Sequence, residues 1–347
     1  MLIPDWTSDH LDSPVPPEAG PPQFDPELGA WILSRYDDVL AAFHASSLDP
    51  ASSTGEAASD ALSEAAMQTM RAETREALSP AQLRLWREQL APAVRTLVAQ
   101  LPIDRPVDLV AGYAQPLCLT LATLVTGINP SDAERLRQLA EPVSAAAAEP
   151  FDLALKSRAE AANSELRGCF HSGPQPLQDS TFVALSHTMP CILANAWFAL
   201  IEHPPQWSIL HQEPRLVDQA IEELLRYAGL VRILSRVANA DLDLNGIRIR
   251  KGERLILRII AANRDPAQFH GSDQVDVRRP GIKHLALGAG PHACLGASLI
   301  RLAAITITRP LVERFSMATL SEPVAWKGGS TFRFPASLWT ALSNPSS

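Results

Sequence analysis

The 347-residue chain has no C-x-x-C pair: its four cysteines, Cys118, Cys169, Cys191 and Cys294, are widely scattered. That scatter excludes a disulfide framework and a zinc site of the usual spacing, and it suits a reducing compartment such as the cytoplasm. Positive charge is also short. A formal net charge of −8 lacks the basic surplus that phosphate binding requires, which excludes nucleic acid as the main partner. The opening MLIPDWTSDH has neither a positive stretch nor an apolar run, so no secretory signal is expected. No internal repeat is visible. One segment, Thr181 to Ile201, runs 21 residues without Asp, Glu, Lys or Arg. It carries Ser186, His187, Thr188, Pro190 and Asn195 and is flanked by Asp179 and Glu202, where a membrane span favours basic or aromatic anchors. The expectation is a buried central helix and no membrane.

What the chain does have is apolar content (46%) sufficient for a large core, and one chemically pointed stretch. Gly288, Gly290 and Gly296 surround Cys294, and a helical apolar pattern (Leu295, Leu299, Leu302, Ala303) begins at once. A cysteine at a helix N-terminus meets unpaired N–H groups and the positive end of the dipole, which lower a thiol's pKa. Glycines let the backbone approach a flat, bulky metal cofactor, and a buried thiolate calls for a cation such as iron. The other reading is a glycine-rich loop with one buried cysteine.

Taken whole, KHLALGAGPHACLGASLIR (Lys283 to Arg301) resembles the haem-ligand loop of cytochromes P450. Gly288, Gly290, His292, Cys294 and Gly296 stand at the family's positions, and Leu287 stands where the family has phenylalanine. The resemblance runs from about Trp31 to the C-terminus and is strongest from Ala220 to Arg301. It implies a mainly α fold with small β-sheets, the cytochrome P450 fold. The implied organisation is a proline-rich arm at 1–30 and a single haem-thiolate domain at 31–347. Haem b (iron protoporphyrin IX) would be held through Cys294. Arg236, His292 and Arg71 match the family's haem-propionate partners, with Met67 replacing a histidine one turn before Arg71.

On residues alone, Glu223 and Arg226 are a surface ion pair three apart on one helix. The resemblance instead implies a buried Glu223/Arg226/Arg279 cluster bracing the cysteine loop. On the distal side, the family's Ala-Gly-x-Asp/Glu-Thr is matched by Ala184, Leu185, Ser186, His187 and Thr188. Thr188 is kept, the acid has become His187, and Leu185 brings a branched side chain where the family leaves bare backbone beside the iron. The Thr188 hydroxyl is expected to bond the Ala184 carbonyl, and Pro190 to kink the helix at Ser186. His187 reads equally as a proton relay and as a hydrogen-bonded core histidine.

Seven prolines before residue 30 suit an extended arm. The pattern then predicts a strand at 30–33, a helix near Asp37 and a loop at 50–64. Helices are expected at 63–78, 80–101, 107–126 and from Ser131, with a shortened lid at 142–173. A helix at 214–227, a hairpin around Asn245-Gly246, a strand at 254–260 and a C-terminal hairpin at 331–342 complete the reading. The implied activity is monooxygenation of a small, secondary-metabolite-like molecule. Peroxide-driven or redox-neutral chemistry, and a non-catalytic haem or recruitment module, are the alternatives. Implied partners are a ferredoxin-type electron donor on Arg71, Arg75, Arg84 and Arg87, and a carrier or other protein at the shortened lid.

Overall fold

A computed structural model describes residues 19–51, 64–170 and 178–344, with backbone alone at 64–67 and 292. The chain enters through β1 (Gln23–Asp25) and β2 (Ala30–Leu33), followed by α1 (Tyr36–His44) and β3 (Leu48–Pro50). Helices α2 (Glu64–Ala77) and α3 (Pro80–Gln100) come next; α3 starts where Ser79 Oγ accepts from Gln82 N and Pro80 takes the first turn. After β4 (Val107–Asp108) comes α4 (Val110–Thr126), which ends at left-handed Gly127.

The lid region holds two helices, α5 (Ala133–Ala148) and α6 (Leu153–Arg167), the second capped by Asp152. A short connection leads to α7 (Asp179–Ile201), which contains the uncharged run of the sequence. It is buried in the core, packed against α4 and, after α8 (Pro204–Gln212) in the chain, against α9 (Val217–Ala228). The remainder is β5 (Ile233–Ala238), the hairpin β6 (Leu242–Leu244) and β7 (Ile247–Ile249), β8 (Arg254–Arg258), and a turn of helix α10 (Ile259–Ala262). Last come α11 (Ala297–Arg314), β9 (Met317–Leu320), β10 (Trp326–Gly328), β11 (Arg333–Pro335) and β12 (Trp339–Ser343).

The main sheet has the order β1-β2-β8-β5-β3, with β2 and β8 parallel. One hydrophobic core joins α3, α4, α7, α9 and α11. Its large aromatic polar groups find partners: Tyr113 Oη donates to the Ile307 carbonyl (2.9 Å), Trp197 Nε1 to Thr308 Oγ1 (3.0 Å) and Trp207 Nε1 to the Phe315 carbonyl (2.9 Å).

Four sequence readings need correction. Part of the arm, Gln23–Asp25, is an edge strand paired to β2; Pro22 and Pro26 flank it, so neither has to donate to the ladder. Val107–Asp108 pairs with β12 before the helix starts at 110, because Asp108 Oδ1 accepts from Val110 N and turns the chain. The strand after Arg254 stops at Arg258 and becomes helical. The C-terminal segment is no hairpin: β11 pairs with β10, while β12 pairs with β9 and β4. Gly173-Pro174, most of the 50–64 loop and residues 1–18 of the arm lie outside the described residues.

Candidate active site

The cysteine loop is built by close backbone packing. Gly288 (φ 71°) and Gly290 (φ 61°) adopt the left-handed region, and a Cβ at Gly290 would lie 2.8 Å from the Phe43 carbonyl and 2.9 Å from His44 Nδ1. Asn263 Oδ1 accepts from Leu285 N (2.7 Å), Cys294 N donates to the Leu287 carbonyl (2.8 Å), and the Cys294 carbonyl accepts from Ala297 N as α11 begins. The Cys294 sulfur opens into a cavity whose other walls are mainly apolar: Ile192, Leu225, Leu230, Leu234 and Leu287 among them, with Thr188. Protein packing around the rest of the thiol pushes its pKa up, outweighing the opposing pull of Gly296 N–H, Arg301 and Arg71. The lowered thiol pKa expected from the helix start alone is therefore not what the loop provides; a cation in front of the sulfur is needed to hold a thiolate.

Glu223, Arg226 and Arg279 form the buried cluster, not the surface pair. Arg226 Nε and Nη2 donate to the two Glu223 oxygens (2.7 and 2.8 Å), Arg279 Nε donates to Oε2 (3.1 Å), and the Glu223 and Arg226 side chains are wholly buried. Arg226 also donates to the carbonyls of Asn263, Ser272 and Gln274. Asn263 thus passes the brace to the loop through Leu285.

Arg236 is buried on β5, on the same strand face as cavity-lining Leu234. It donates to the Ser235 carbonyl and its Nε has no partner; no carboxylate lies within 4 Å of it among the described residues. Arg71 Nη2 donates to the carbonyls of Pro291 and Ala293, and its buried Nε is also unsatisfied. His292 closes a single 3-10 turn, Gly290–His292; its side chain lies outside the described residues. Two under-satisfied guanidinium groups, a cysteine facing an apolar cavity and a glycine cradle fit a flat prosthetic group with an iron centre and anionic edges.

The distal helix departs from expectation in one respect. Ala184–Thr188 forms a π turn, with Met189 N donating to the Ala184 carbonyl, directly before Pro190. The wider turn moves the Ser186 carbonyl away from the proline ring, so the anticipated distortion occurs as a bulge. It also turns Leu185 into the hydrophobic core, where it is 3% exposed and lines neither cavity; it does not crowd the cysteine cavity. Ala184 is exposed and likewise lines neither. The Thr188 hydroxyl does not bond the Ala184 carbonyl and has no partner among the described residues.

Thr188, Leu230 and Phe332 line both the cysteine cavity and a second, more polar one of about 440 Å³. That volume falls within the roughly 300–1,000 Å³ typical of small-molecule sites. Its walls include Arg137, Glu141 and Ser144 from α5, and His187. His187 Nε2 lies 2.8 Å from the Arg137 carbonyl, which can only accept, so Nε2 carries the hydrogen and Nδ1 the lone pair. Burial pulls this imidazole's pKa below its ordinary value, so the ring is neutral at pH 7.

Sequence reasoning missed Glu222. Its carboxylate accepts from Arg301 Nε and Nη2 (2.7 and 2.8 Å) and lies 3.4 Å from His284 Nε2. Despite partial burial, which works against it, these partners lower its pKa from 4.5 to about 2. Its stabilising contribution is complete above pH 4.5 and is lost as pH falls toward 2. The Glu222-Glu223 doublet was the available signal, since neighbouring helical positions face different partners.

Residues 201–327 match the family model for cytochrome P450. The chain is 37% identical over 154 residues to a biotin biosynthesis cytochrome P450 of Bacillus subtilis, a match spanning 44% of this chain and 39% of that protein. With nocardicin C N-oxygenase of Nocardia uniformis subsp. tsuyamanensis it shares 28% over 351 residues, covering 89% of this chain and 88% of the relative. Its fold is that of P450BioI, solved in complex with a fatty-acyl-ligated acyl carrier protein: TM-score 0.79 at 22% identity, over 90% of this chain and 92% of the other.

Proposed function

The chain belongs to the cytochrome P450 family, and on that premise we propose that it is a haem-thiolate monooxygenase acting on a small, secondary-metabolite-like molecule. The observation that carries this is the sharing of Thr188 by the cysteine cavity and the larger polar cavity, so that a molecule held in the second meets the first at a hydroxyl. Haem b, when bound, supplies oxygen activation and the electron-rich sulfur–iron bond. Cys294 would hold the iron, while Arg236, Arg71 and His292 would hold the anionic edge. Thr188 has a free hydroxyl with which to hand on a proton, and the neutral His187 presents a lone pair at Nδ1. Residues 31–347 would work as one domain, in the cytoplasm. A substrate-induced shift in the haem absorption spectrum, screened over a small-molecule library, tests the reading. Hits must then consume oxygen and NAD(P)H and yield an oxygenated product; a holoprotein that turns nothing over yet binds a partner protein tightly is a recruitment module instead.

The fate of the distal acid favours a second mode of the same chemistry. Where the family has a carboxyl group, this chain has a histidine that is neutral and whose one N–H is committed to a lid-helix carbonyl. Hydrogen peroxide brings both oxygen and protons, converting R–H to R–OH and water without a redox partner. Peroxide should therefore support more product than NAD(P)H and oxygen do. Thr188→Ala should depress oxygen-driven product about tenfold or more, in the range of a lost proton-transfer group, and leave peroxide-driven product nearly unchanged. Equal losses in both assays would remove Thr188 from proton delivery.

Arg75, Arg84 and Arg87 are exposed on α2 and α3; α2 reaches the cysteine loop through Arg71, and α3 packs against α11, which follows that loop. An acidic ferredoxin docked there would reduce the protein at a rate that falls with salt. Arg75→Glu should slow that reduction roughly threefold to tenfold and flatten its salt dependence. Rates indifferent to both salt and substitution would exclude this face. The carrier protein bound to P450BioI supports a carrier-tethered substrate as one form the small molecule takes here.

A further inference from the structure

We infer that Glu149 is a positioning residue: from the C-terminal end of α5 it fixes Phe332, the aromatic side chain at the junction of the two cavities. It thereby sets how closely a molecule held in the larger cavity approaches Cys294, an inference that deepens the proposed function and rests on it. Both Glu149 oxygens are taken by one buried residue of the β10–β11 turn: Ser330 N donates to Oε2 (2.6 Å) and Ser330 Oγ to Oε1 (2.8 Å). Beside them Thr331 N donates to the Ala148 carbonyl (3.0 Å), one of those the helix end leaves open. The contact is close at the backbone as well. A Cβ at Gly329 would run into Glu149 Oε2 and lie 2.7 Å from the Ala148 carbonyl.

Phe332 follows at once in the chain. Its carbonyl accepts from Gly329 N (2.9 Å) and closes the turn, its backbone bridges to Val231, and Arg232 N donates to the preceding Thr331 carbonyl (2.8 Å). The turn is thus held on one side by residues 231–232 and on the other by the end of α5. That helix also supplies a wall of the larger cavity through Arg137, Glu141, Ser144, Ala148 and Glu149, while Phe332 lines both cavities. Wall and junction are therefore joined by the Glu149 carboxylate. Helix stability does not explain a glutamate there, since a negative charge at a helix C-terminus is opposed by the dipole. Two hydrogen bonds to a carboxylate, each stronger than one between neutral groups, are what it contributes.

Spectral titration of holoprotein with 1-methylimidazole and 1-decylimidazole tests this. The two share an iron-binding nitrogen, and only the decyl chain has to pass Phe332 into the larger cavity. Glu149→Ala should weaken 1-decylimidazole about tenfold, the lower end of what a hydrogen bond to a charged group is worth, and leave 1-methylimidazole nearly unchanged. Glu149→Gln, which keeps an oxygen for one Ser330 donor, should fall between. Phe332→Ala should also weaken the decyl compound selectively, and in that background Glu149→Ala should add nothing, because a residue that acts through the ring has no effect once the ring is gone. A general loosening of the fold would weaken both ligands, or add to the Phe332→Ala loss. Either result, or a Glu149→Ala protein that binds both ligands as wild type does, overturns the inference. Ser330→Ala, which removes one of the two bonds and leaves the carboxylate, gives the same readout where Glu149→Ala yields no holoprotein. If the wild type shows no nitrogen-bound spectrum with 1-methylimidazole, the haem-thiolate reading falls, and the inference with it.

Discussion

Cys294→Ser protein is expected to fold and to lack the red-shifted carbon monoxide band of thiolate-ligated haem. The fold should survive because the loop's geometry depends on backbone: Cys294 N on the Leu287 carbonyl, Ala297 N on the Cys294 carbonyl, and two glycines in the left-handed region. The band should vanish because no other sulfur can stand in. Cys118 is fully buried, and burial raises its pKa strongly. Cys191 lines the neighbouring cavity, but its thiol donates to the His187 carbonyl (3.2 Å) and burial pushes it up to about 12. Cys169 donates to the Glu165 carbonyl, away from both cavities. A serine hydroxyl is far harder to ionise than a thiol and is a poorer match for iron. Reduced, carbon-monoxide-treated Cys294→Ser that keeps the band would sink the assignment, and Cys191→Ser should keep it.

Legibility from sequence followed the range of the interaction involved. Helices α3 and α9 could be read because capping and apolar period are local: Ser79-Pro80 opens one, and Val217, Ile221 and Leu224 mark the buried face of the other. The Asn245-Gly246 turn was equally plain, and both residues have positive φ. Strand partners were not readable. Whether 331–342 folds on itself or joins β4, β9 and β10 depends on segments far away in sequence, and alternation says only that a strand exists. Glu223 and Arg226 show the same limit: local spacing makes them a surface pair, and only the distant Asn263, Ser272 and Gln274 carbonyls bury them. Leu185 failed for a subtler reason. Matching residues one for one assumes a regular helix, and a π turn breaks that count at the position where the side chain's direction mattered.

Glu223→Ala should be the most destabilising of these changes. It leaves the Arg226 guanidinium wholly buried, still donating to three carbonyls but with no countercharge, and it strips Arg279 Nε and Asp276 N of their acceptor. Breaking a buried pair from one side costs about 3–5 kcal/mol, against a total stability of roughly 5–15 kcal/mol. The brace runs from Arg226 through Asn263 to Leu285 N, so the loss should reach the cysteine loop and appear as poor haem retention as well as a lowered denaturation midpoint. Glu223→Gln keeps the shape and one acceptor, and should fall between the two. Glu222→Gln, one residue away but partly exposed, should cost much less. Denaturant titration of the three variants orders them, with haem content per polypeptide as the second axis. A Glu223→Ala unfolding free energy within about 0.5 kcal/mol of wild type, the range of ordinary surface changes, would mean that the cluster does not support the loop. The buried charges would then be held by their carbonyl partners alone.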